Sequence, residues 1–598
     1  MSGERDPQLI WTETGEPRSG RFGDVYFSAE DGLAESRTVF LQGCGLPDAW
    51  AGQRRFTVAE LGFGTGLNIV ALLDLWSRTR DEGARLHVFS VEGFPLRRDD
   101  AARALARWPE VATIADRLIE RWPAPTPGFH RVDLPELDVV IDLAVGDAAW
   151  ALNQWDGQAD AWFLDGFAPS TNPAMWSDAV LDGIAARSAP AARLATFTVA
   201  GAVRRGRADR GFLVEKRPGH GRQRERLEAR RDGLSARRIS GSRVAIIGAG
   251  IAGQAVARAV LAAGAMPVVI EAETPGAGAS GFPAALVTPR LDAGDAGIAA
   301  LYAQALDRAG RLYADISGAI LDRGVLQLSG APRDVVRFQK VVAQPVWDGA
   351  MALCNDAEVR DRTLGSATGQ GLWMGSALTI RPAAVRESWL AHVEVSCKRA
   401  IGLTPTPAGW AVACEDGSSI DAGAVVIAAG WGAAALLPDL ALAPVAGQAD
   451  WLDGVPPPVA LAWGGYAVPT GQGMLWGATH ERGTIEAQVG DEASARNLAQ
   501  LRARLPDLAD RVEGRVVQRR AAVRATTPDR LPVCGAMPGR SGVFVLGGLG
   551  SRGFCAAPLL GEHVAALALG LSSPLPRDLA ARVDPGRPAL GTRTSASD

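Results

Sequence analysis

Short apolar runs that stop at an acid or a glycine recur along the chain, and each is followed by residues with helical spacing. Residues 56–59 run into Glu60 and three alternating glycines, after which a helix is expected from about Leu67. The run LHVFSV ends in Glu92, residues 137–145 lead to Gly146-Asp147-Ala148, and DAWFL stops at Asp165. The second half repeats this punctuation in RVAIIGAG from Arg243, in MPVVIEAE through Glu271, in AVVIAAGWG over 424–432 and in GVFVLGGLGSRG from Gly542. Strand, glycine turn and helix in succession predict open α/β sheets, which present ligand-binding groups at the carboxyl edges of their strands. No repeat period links the two halves. The uncharged stretches 423–438 and 454–480 do not read as membrane spans: the first is short of the roughly 18 residues needed, and Pro456, Pro457 and Pro458 break the second.

With 598 residues, the chain is about four times the roughly 150 residues of a common domain, so several cores are expected. A hydrophobic share of 47% and a charged share of 21% exclude a disordered or fibrous chain. The net charge of −4 announces no polyanionic partner, but it hides a local bias. Residues 201–240 hold 13 Arg and Lys against five Asp and Glu, and the stretch EARRDGLSARRISGS reads as a linker. The expected division is therefore 1–236, a linker at 237–242, and 243–598. Six cysteines without a C-x-x-C pair suggest reduced thiols and no metal site, and the polar N-terminus lacks a secretory apolar stretch, so a cytoplasmic location is expected.

The first glycine turn has the spacing E-x-G-x-G-x-G (Glu60, Gly62, Gly64, Gly66), which suits the methionine end of S-adenosylmethionine better than a pyrophosphate. Glycine lets such a turn close tightly against a ligand. Glu92, 26 residues beyond Gly66, is placed to accept the two ribose hydroxyls, and Asp147 to contact the adenine amine. Asp165 ends the next strand, where a catalytic group is expected, with capping of the following turn as the structural alternative.

The second turn carries the full G-x-G-x-x-G (Gly248, Gly250, Gly253), with Glu271 closing the next strand 21 residues after Gly250. The glycines admit a pyrophosphate to a helix N-terminus, and Glu271 takes the adenosine ribose. FAD and NAD are not separated by this fingerprint. The small-residue turn after Glu271, with Ser280, and the late strand running into Gly548 and Gly550 favour FAD, with its binding parts at about 243–330, 420–450 and 520–575 and a substrate domain between.

These strings resemble one family closely. ELGFGTGLN, WFLDGFAPSTNPAMW, TFTVAGAVRRG and GFLVEKRPGHGRQRE in the first half, and GASG (278–281), GVLQL (324–328), RATTPDRLPVCG (524–535) and GLGSRGFCAAPL from Gly548 in the second, are similar to the bifunctional MnmC enzymes of bacterial tRNA wobble-uridine modification. The resemblance implies a Rossmann-like S-adenosylmethionine methyltransferase fused to a two-domain FAD-dependent (α+β) oxidoreductase like the amino-acid oxidases. It further implies that the FAD part removes the carboxymethyl group from 5-carboxymethylaminomethyl-(2-thio)uridine and the first part then methylates the amine. A monomer, free of metal and membrane, that acts on tRNA is expected. On the same footing Arg524 binds the substrate carboxylate, with Arg552 a second candidate, and Asp165 aims the amine. Arg204, Arg205, Lys216, Arg222 and Arg224 are the expected tRNA contacts, unless they form only a solvated basic face. Phe167, Trp176 and His220 are candidates to stack the base. The sequence departs from the family pattern at Phe282, Pro283 and Ala284. The alternative is a glycine- or sarcosine-type oxidase joined to an unrelated methyltransferase.

Overall fold

The computed structural model describes residues 6–27, 31–167, 169–221, 224–233, 243–347 and 349–590. The chain forms two compact units, Met1–Ser240 and Gly241–Asp598. The expected linker 237–242 and Arg222 lie outside the described residues.

The first unit is built on an eight-stranded sheet in the spatial order Gly128–Leu134, Val139–Val145, Arg85–Glu92, Arg55–Leu61, Ala159–Leu164, Ser188–Thr196, Glu225–Arg231, Phe212–Pro218. The five strands from Val139–Val145 to Ser188–Thr196 run parallel, and antiparallel strands close both edges. From Arg55–Leu61 the chain first builds outward through Arg85–Glu92, then returns to place Ala159–Leu164 on the other flank. That reversal opens a crevice at the carboxyl ends of the two central strands, where α/β sheets bind ligands. Apolar layers cover both faces: Ile69, Leu72 and Trp76 lie on one, and Phe89, Trp155 and Trp162 on the other, with Phe89 stacked on Trp155 at 4.3 Å.

The basic segment is more ordered than its composition suggests. Gly201–Ala208 is a helix, and Phe212–Pro218 pairs with Glu225–Arg231 as a hairpin at the sheet edge. The linker reading fails for Glu228–Arg231, because alternation buries Leu227 and Ala229 in the sheet. Nor is the segment uniformly solvated charge. Lys216 pairs with Glu225 at 2.7 Å and Arg217 with Glu215 at 2.5 Å, while Arg207 is buried, with its guanidinium 5.7 Å from the Trp176 ring. Arg204, Arg205 and Arg224 are exposed.

The second unit holds a six-stranded sheet in the order Glu394–Cys397, Met266–Glu271, Arg243–Ile247, Ala424–Ile427, Val543–Gly547, Val533–Ala536, parallel except for the last. Helices Ile251–Ala262 and Gly553–Leu569 approach so closely that a Cβ on Gly561 would lie 2.8 Å from the Ala255 backbone. A ten-stranded sheet is the larger second layer, and a three-stranded sheet over 400–422, inserted between two strands of the six-stranded sheet, packs Val412 and Cys414 with Ala245 and Ile247. Sheet membership cuts across the expected intervals. Ile320–Leu328, Ala443–Asp453 and Gln518–Thr526 belong to the ten-stranded sheet, and Glu394–Cys397, from the expected substrate interval, extends the six-stranded one. Long antiparallel pairing between Ala443–Asp453 and Gln518–Thr526, from Ala443↔Thr526 to Trp451↔Gln518, decides the former; parallel pairing with Met266–Glu271 decides the latter.

Candidate active sites

In the first unit the crevice widens to a cavity of about 1000 Å³. Its floor is the glycine turn. Gly62 and Gly64 have φ of 100° and 52°, and a Cβ on Gly62 would lie 2.3 Å from the Asp165 carbonyl oxygen. Gly64 donates its N–H to Glu92 Oε2 at 2.8 Å, and Phe94 N–H donates to the other carboxylate oxygen at 2.8 Å, so Glu92 is fixed against the cavity. Asp147 caps helix Ala148–Gln154 through Ala149 and Trp150 and also lines the cavity.

Asp165 is held by Asn68, whose amide donates to Asp165 Oδ2 at 2.6 Å while its Oδ1 accepts from Ser36 Oγ at 2.6 Å. Burial, with the nearby Glu35 and Asp24 charges, pushes the Asp165 carboxyl up to about 7 against the Asn68 hydrogen bond. A carboxyl so poised exchanges a proton near neutrality. Asp24, Asp31, Glu35, Glu92, Asp147 and Asp165 all face the cavity, which suits a cationic sulfonium and an amine.

Two sequence expectations are corrected. Glu60 does not reach the cavity. It lies beneath the loop, fully buried, and takes a hydrogen bond from Ser90 Oγ at 2.6 Å across the register pair Glu60↔Ser90. Burial pushes its carboxyl up to about 8, so it is largely neutral at pH 7. Stability contributed by the protonated form is complete below the ordinary value of 4.5 and is lost as pH rises through about 8. Glu60→Gln is therefore expected to lose less stability than the parent chain between about pH 5 and 8, the difference reaching a few kcal/mol at about 1.4 kcal/mol per tenfold change in proton affinity, while the decline due to Asp165 stays in both; a parallel decline in both, read by thermal unfolding, would contradict the assignment. Gly66 is also outside the cavity wall; it ends the turn at φ 80°, against Leu118 and Trp122.

Phe167 and His220 line the cavity, whereas Trp176 stands behind it, donating its indole N–H to the Phe167 carbonyl at 3.0 Å. Sequence reasoning missed the companions of Phe167. Phe22 and Tyr26 lie 5.0 and 5.6 Å from its ring, and Phe22 lies 5.5 Å from Phe94, forming an aromatic wall. The spacing of aromatics within RFGDVYF was the available signal.

In the second unit an elongated cavity of about 640 Å³ runs from Glu271 past the glycine turn to 547–554. Gly248 has φ 107°, and a Cβ there would lie 2.6 Å from the Ala428 carbonyl oxygen. Glu271 accepts from Ala249 N–H at 2.6 Å, and Ser280 Oγ accepts from Ile251 N–H at 3.0 Å at the helix start. A Cβ on Gly250 would sit 3.3 Å from Ser280 Oγ, inside the space a pyrophosphate needs. Arg520 donates to the carbonyls of Gly276 and Ala277 and so holds the turn that carries Ser280. Phe282 and Ala284, the unusual residues, form part of the wall. Gly548 and Gly550 line the same cavity, both with positive φ. Gly253 does not line it. Its Cβ would fall 1.8 Å from the Gly248 carbonyl oxygen, so it serves helix-to-turn packing. Gly253→Ala is expected to yield chain that retains about a tenth or less of its flavin absorbance after gel filtration, since that overlap forces the turn open; full flavin retention would overturn this role.

Arg524 and Arg552 both line this cavity, and neither has an ion pair among the described residues. The nearest acceptor of Arg524 is the Thr479 carbonyl at 3.5 Å, and Arg552 donates to Thr288 Oγ1. Their surroundings pull both guanidiniums below the usual value through desolvation. Two half-buried, desolvated cations with no ion pair among the described residues make a receptor for a carboxylate.

Comparison with known proteins agrees with this geometry. Residues 109–232 match the model of an S-adenosyl-L-methionine-dependent methyltransferase family, and residues 243–567 match that of the FAD dependent oxidoreductases. The tRNA 5-methylaminomethyl-2-thiouridine biosynthesis bifunctional protein MnmC of Caulobacter sp. (strain K31) is 50% identical over 100% of both chains, and that of Maricaulis maris is 44% identical over 94% of this chain and 93% of its own. Among solved structures, glycine oxidase from Geobacillus kaustophilus aligns with a TM-score of 0.50 at 23% identity over 56% of this chain and 96% of its own. L-proline dehydrogenase from P. horikoshii aligns with a TM-score of 0.51 at 18% identity, over 58% and 98%; these likenesses concern the fold of the second unit. Full-length identity at this level, added to a methyltransferase cavity and a flavin cavity on one chain, means that the chain belongs to the MnmC family of bifunctional tRNA 5-methylaminomethyl-2-thiouridine biosynthesis proteins.

Proposed function

We propose that the chain carries out two consecutive steps on a wobble uridine of cytoplasmic tRNA: oxidative removal of the carboxymethyl group, then methylation of the amine set free. The observation that carries this reading is the pair of cavities with opposite electrostatics. The cavity of the second unit offers Arg524 and Arg552, which have no ion pair among the described residues, to an anionic side chain, and that of the first offers carboxylates to a cationic one. Among the described residues no helix is long and apolar enough to cross a membrane.

In the oxidation, Arg524 and Arg552 bind the glycine-like carboxylate and thereby fix the adjacent CH₂ and amine nitrogen. Bound FAD supplies a two-electron acceptor for the C–H bond beside that nitrogen. The resulting imine of the substrate takes up water and splits into the primary amine and glyoxylate, so the carbon skeleton balances. Orientation by the two arginines is the chain's main contribution.

In the methylation, bound S-adenosylmethionine supplies the methyl cation equivalent. Asp165 accepts a proton from the incoming ammonium or aims its lone pair, and Asn68 holds that carboxylate in place. Phe22, Tyr26 and Phe167 provide the flat surface on which an unstacked base rests.

Anaerobic mixing separates this reading from a small-molecule oxidase. Hypomodified tRNA is expected to bleach the flavin absorbance, whereas free glycine or sarcosine at the same concentration leaves it unchanged. Bleaching by the free amino acids alone would overturn the assignment.

A further inference from the structure

A second cavity of about 590 Å³ adjoins the flavin cavity, and its walls contain Arg290, His480, Arg482, Arg524, Arg530 and Arg552 but no Asp or Glu. Five arginines line this chamber, and among the described residues that line it there is no acid, so its field favours an anion. The neighbouring acids are engaged elsewhere: Asp529 pairs with Arg587 at 2.8 Å, and Glu481 with Arg496 at 2.6 Å. Asp292 offsets Arg290 at 3.3 Å, and Arg290 also donates to the Arg530 carbonyl at 3.3 Å. That leaves four arginines with no ion pair among the described residues.

Their positions divide them into two sets. Arg524 and Arg552 line both cavities, which places them at the junction with the flavin site. One substrate carboxylate occupies those two. Arg482 and Arg530 line only the outer chamber and are solvent-exposed, beyond what a single glycine-like tail can use. The backbone at Arg530 is a separate sign. It sits at φ 58°, a conformation that favours glycine or asparagine, so the arginine is kept at a cost in strain. Its N–H donates to the Thr527 carbonyl at 3.0 Å, which fixes the turn with the side chain on the chamber wall.

We propose that Arg482 and Arg530 form a phosphate-binding rim through which the oxidase unit grips the nucleic-acid backbone beside the modified uridine. The inference rests on the tRNA-modifying reading above and deepens it: the second unit carries its own tRNA contacts, separate from the basic hairpin of the first. Guanidinium forks suit phosphate oxygens, and a phosphodiester chain supplies the repeated anions that a small amino acid lacks. Arg482 and Arg530 are positioning residues, because they hold the polymer and not the reacting atoms.

The test compares the full-length flavin-loaded chain with Arg482→Gln, Arg530→Asn and the double variant, measuring oxidation of hypomodified tRNA across a range of KCl. Asparagine accommodates the positive φ at 530, and an unchanged flavin spectrum and thermal unfolding curve report an intact fold. The double variant is expected to raise KM about tenfold with kcat nearly unchanged. The slope of log affinity against log salt, read by anisotropy of labelled tRNA under the same conditions, should fall by about 1.4, as two single-stranded phosphate contacts require. Arg482→Lys alone, which keeps the charge, should retain nearly the parent slope. An oxidising parent chain with unchanged KM and slope in the double variant would overturn the rim. So would a fall in kcat at constant slope, which assigns the arginines to the substrate carboxylate, or loss of flavin, which assigns them to the cofactor. A parent chain that oxidises no tRNA defeats the underlying reading and the rim with it.

Discussion

Replacing Arg524 with alanine should slow removal of the carboxymethyl group by at least about thirtyfold, while methylation of a preformed aminomethyl side chain proceeds at the parent rate. Truncating one partner of a buried charged pair costs on the order of 2–5 kcal/mol, which spans thirtyfold to several thousandfold. The guanidinium is desolvated and has no ion pair among the described residues, so its interaction with the carboxylate is poorly replaced by water. Arg524→Lys keeps the charge but loses the planar fork and should recover only part of the rate. Glyoxylate release and methyl incorporation, followed separately, check the result. Equal damage to both reactions would count against the role given to Arg524.

Asp165→Asn should give the converse phenotype, with methyl transfer reduced by about 10²–10⁴-fold and oxidation intact. The amide keeps the volume and can still meet Asn68, but it can neither accept a proton nor offset an ammonium. The pH profile sharpens the expectation. Because burial raises the Asp165 carboxyl to about 7, the reactive carboxylate forms as pH rises through that value, and the parent rate should climb across it. In Asp165→Asn that limb disappears. A variant that keeps the same rise near pH 7 would show that another group sets it.

The fold was legible where glycines and strand-terminal acids coincide. Gly62, Gly64, Glu92 and Asp165 converge on one cavity, and Gly248, Gly250, Glu271, Gly548 and Gly550 on another, because βα turns in parallel sheets gather at one edge. Glu60 and Gly253 fit the same motifs but lie off the cavities, Glu60 because its side chain points beneath the turn and Gly253 because its backbone packs against Gly248, and spacing alone does not encode either. The assignment of Ala443–Asp453 and Gln518–Thr526 to the larger sheet depended on long-range pairing invisible to local pattern. The arginine chamber was missed for the same reason, since its members come from segments far apart in the chain, whereas Phe22 and Tyr26 of the aromatic wall left a local signal in RFGDVYF and only their meeting with Phe94 and Phe167 is long-range. Local charge counting, by contrast, drew attention to 201–240, where several of the cations already have protein partners.

The most direct test of two linked activities on one chain is nucleoside mass spectrometry of hypomodified tRNA after incubation with the FAD-loaded protein, with and without S-adenosylmethionine. Without it, 5-carboxymethylaminomethyl-uridine should disappear and the 5-aminomethyl form accumulate; with it, the 5-methylaminomethyl form should replace both. Persistence of the carboxymethylated nucleoside under both conditions, together with no methylation of preformed aminomethyl tRNA, would contradict the account.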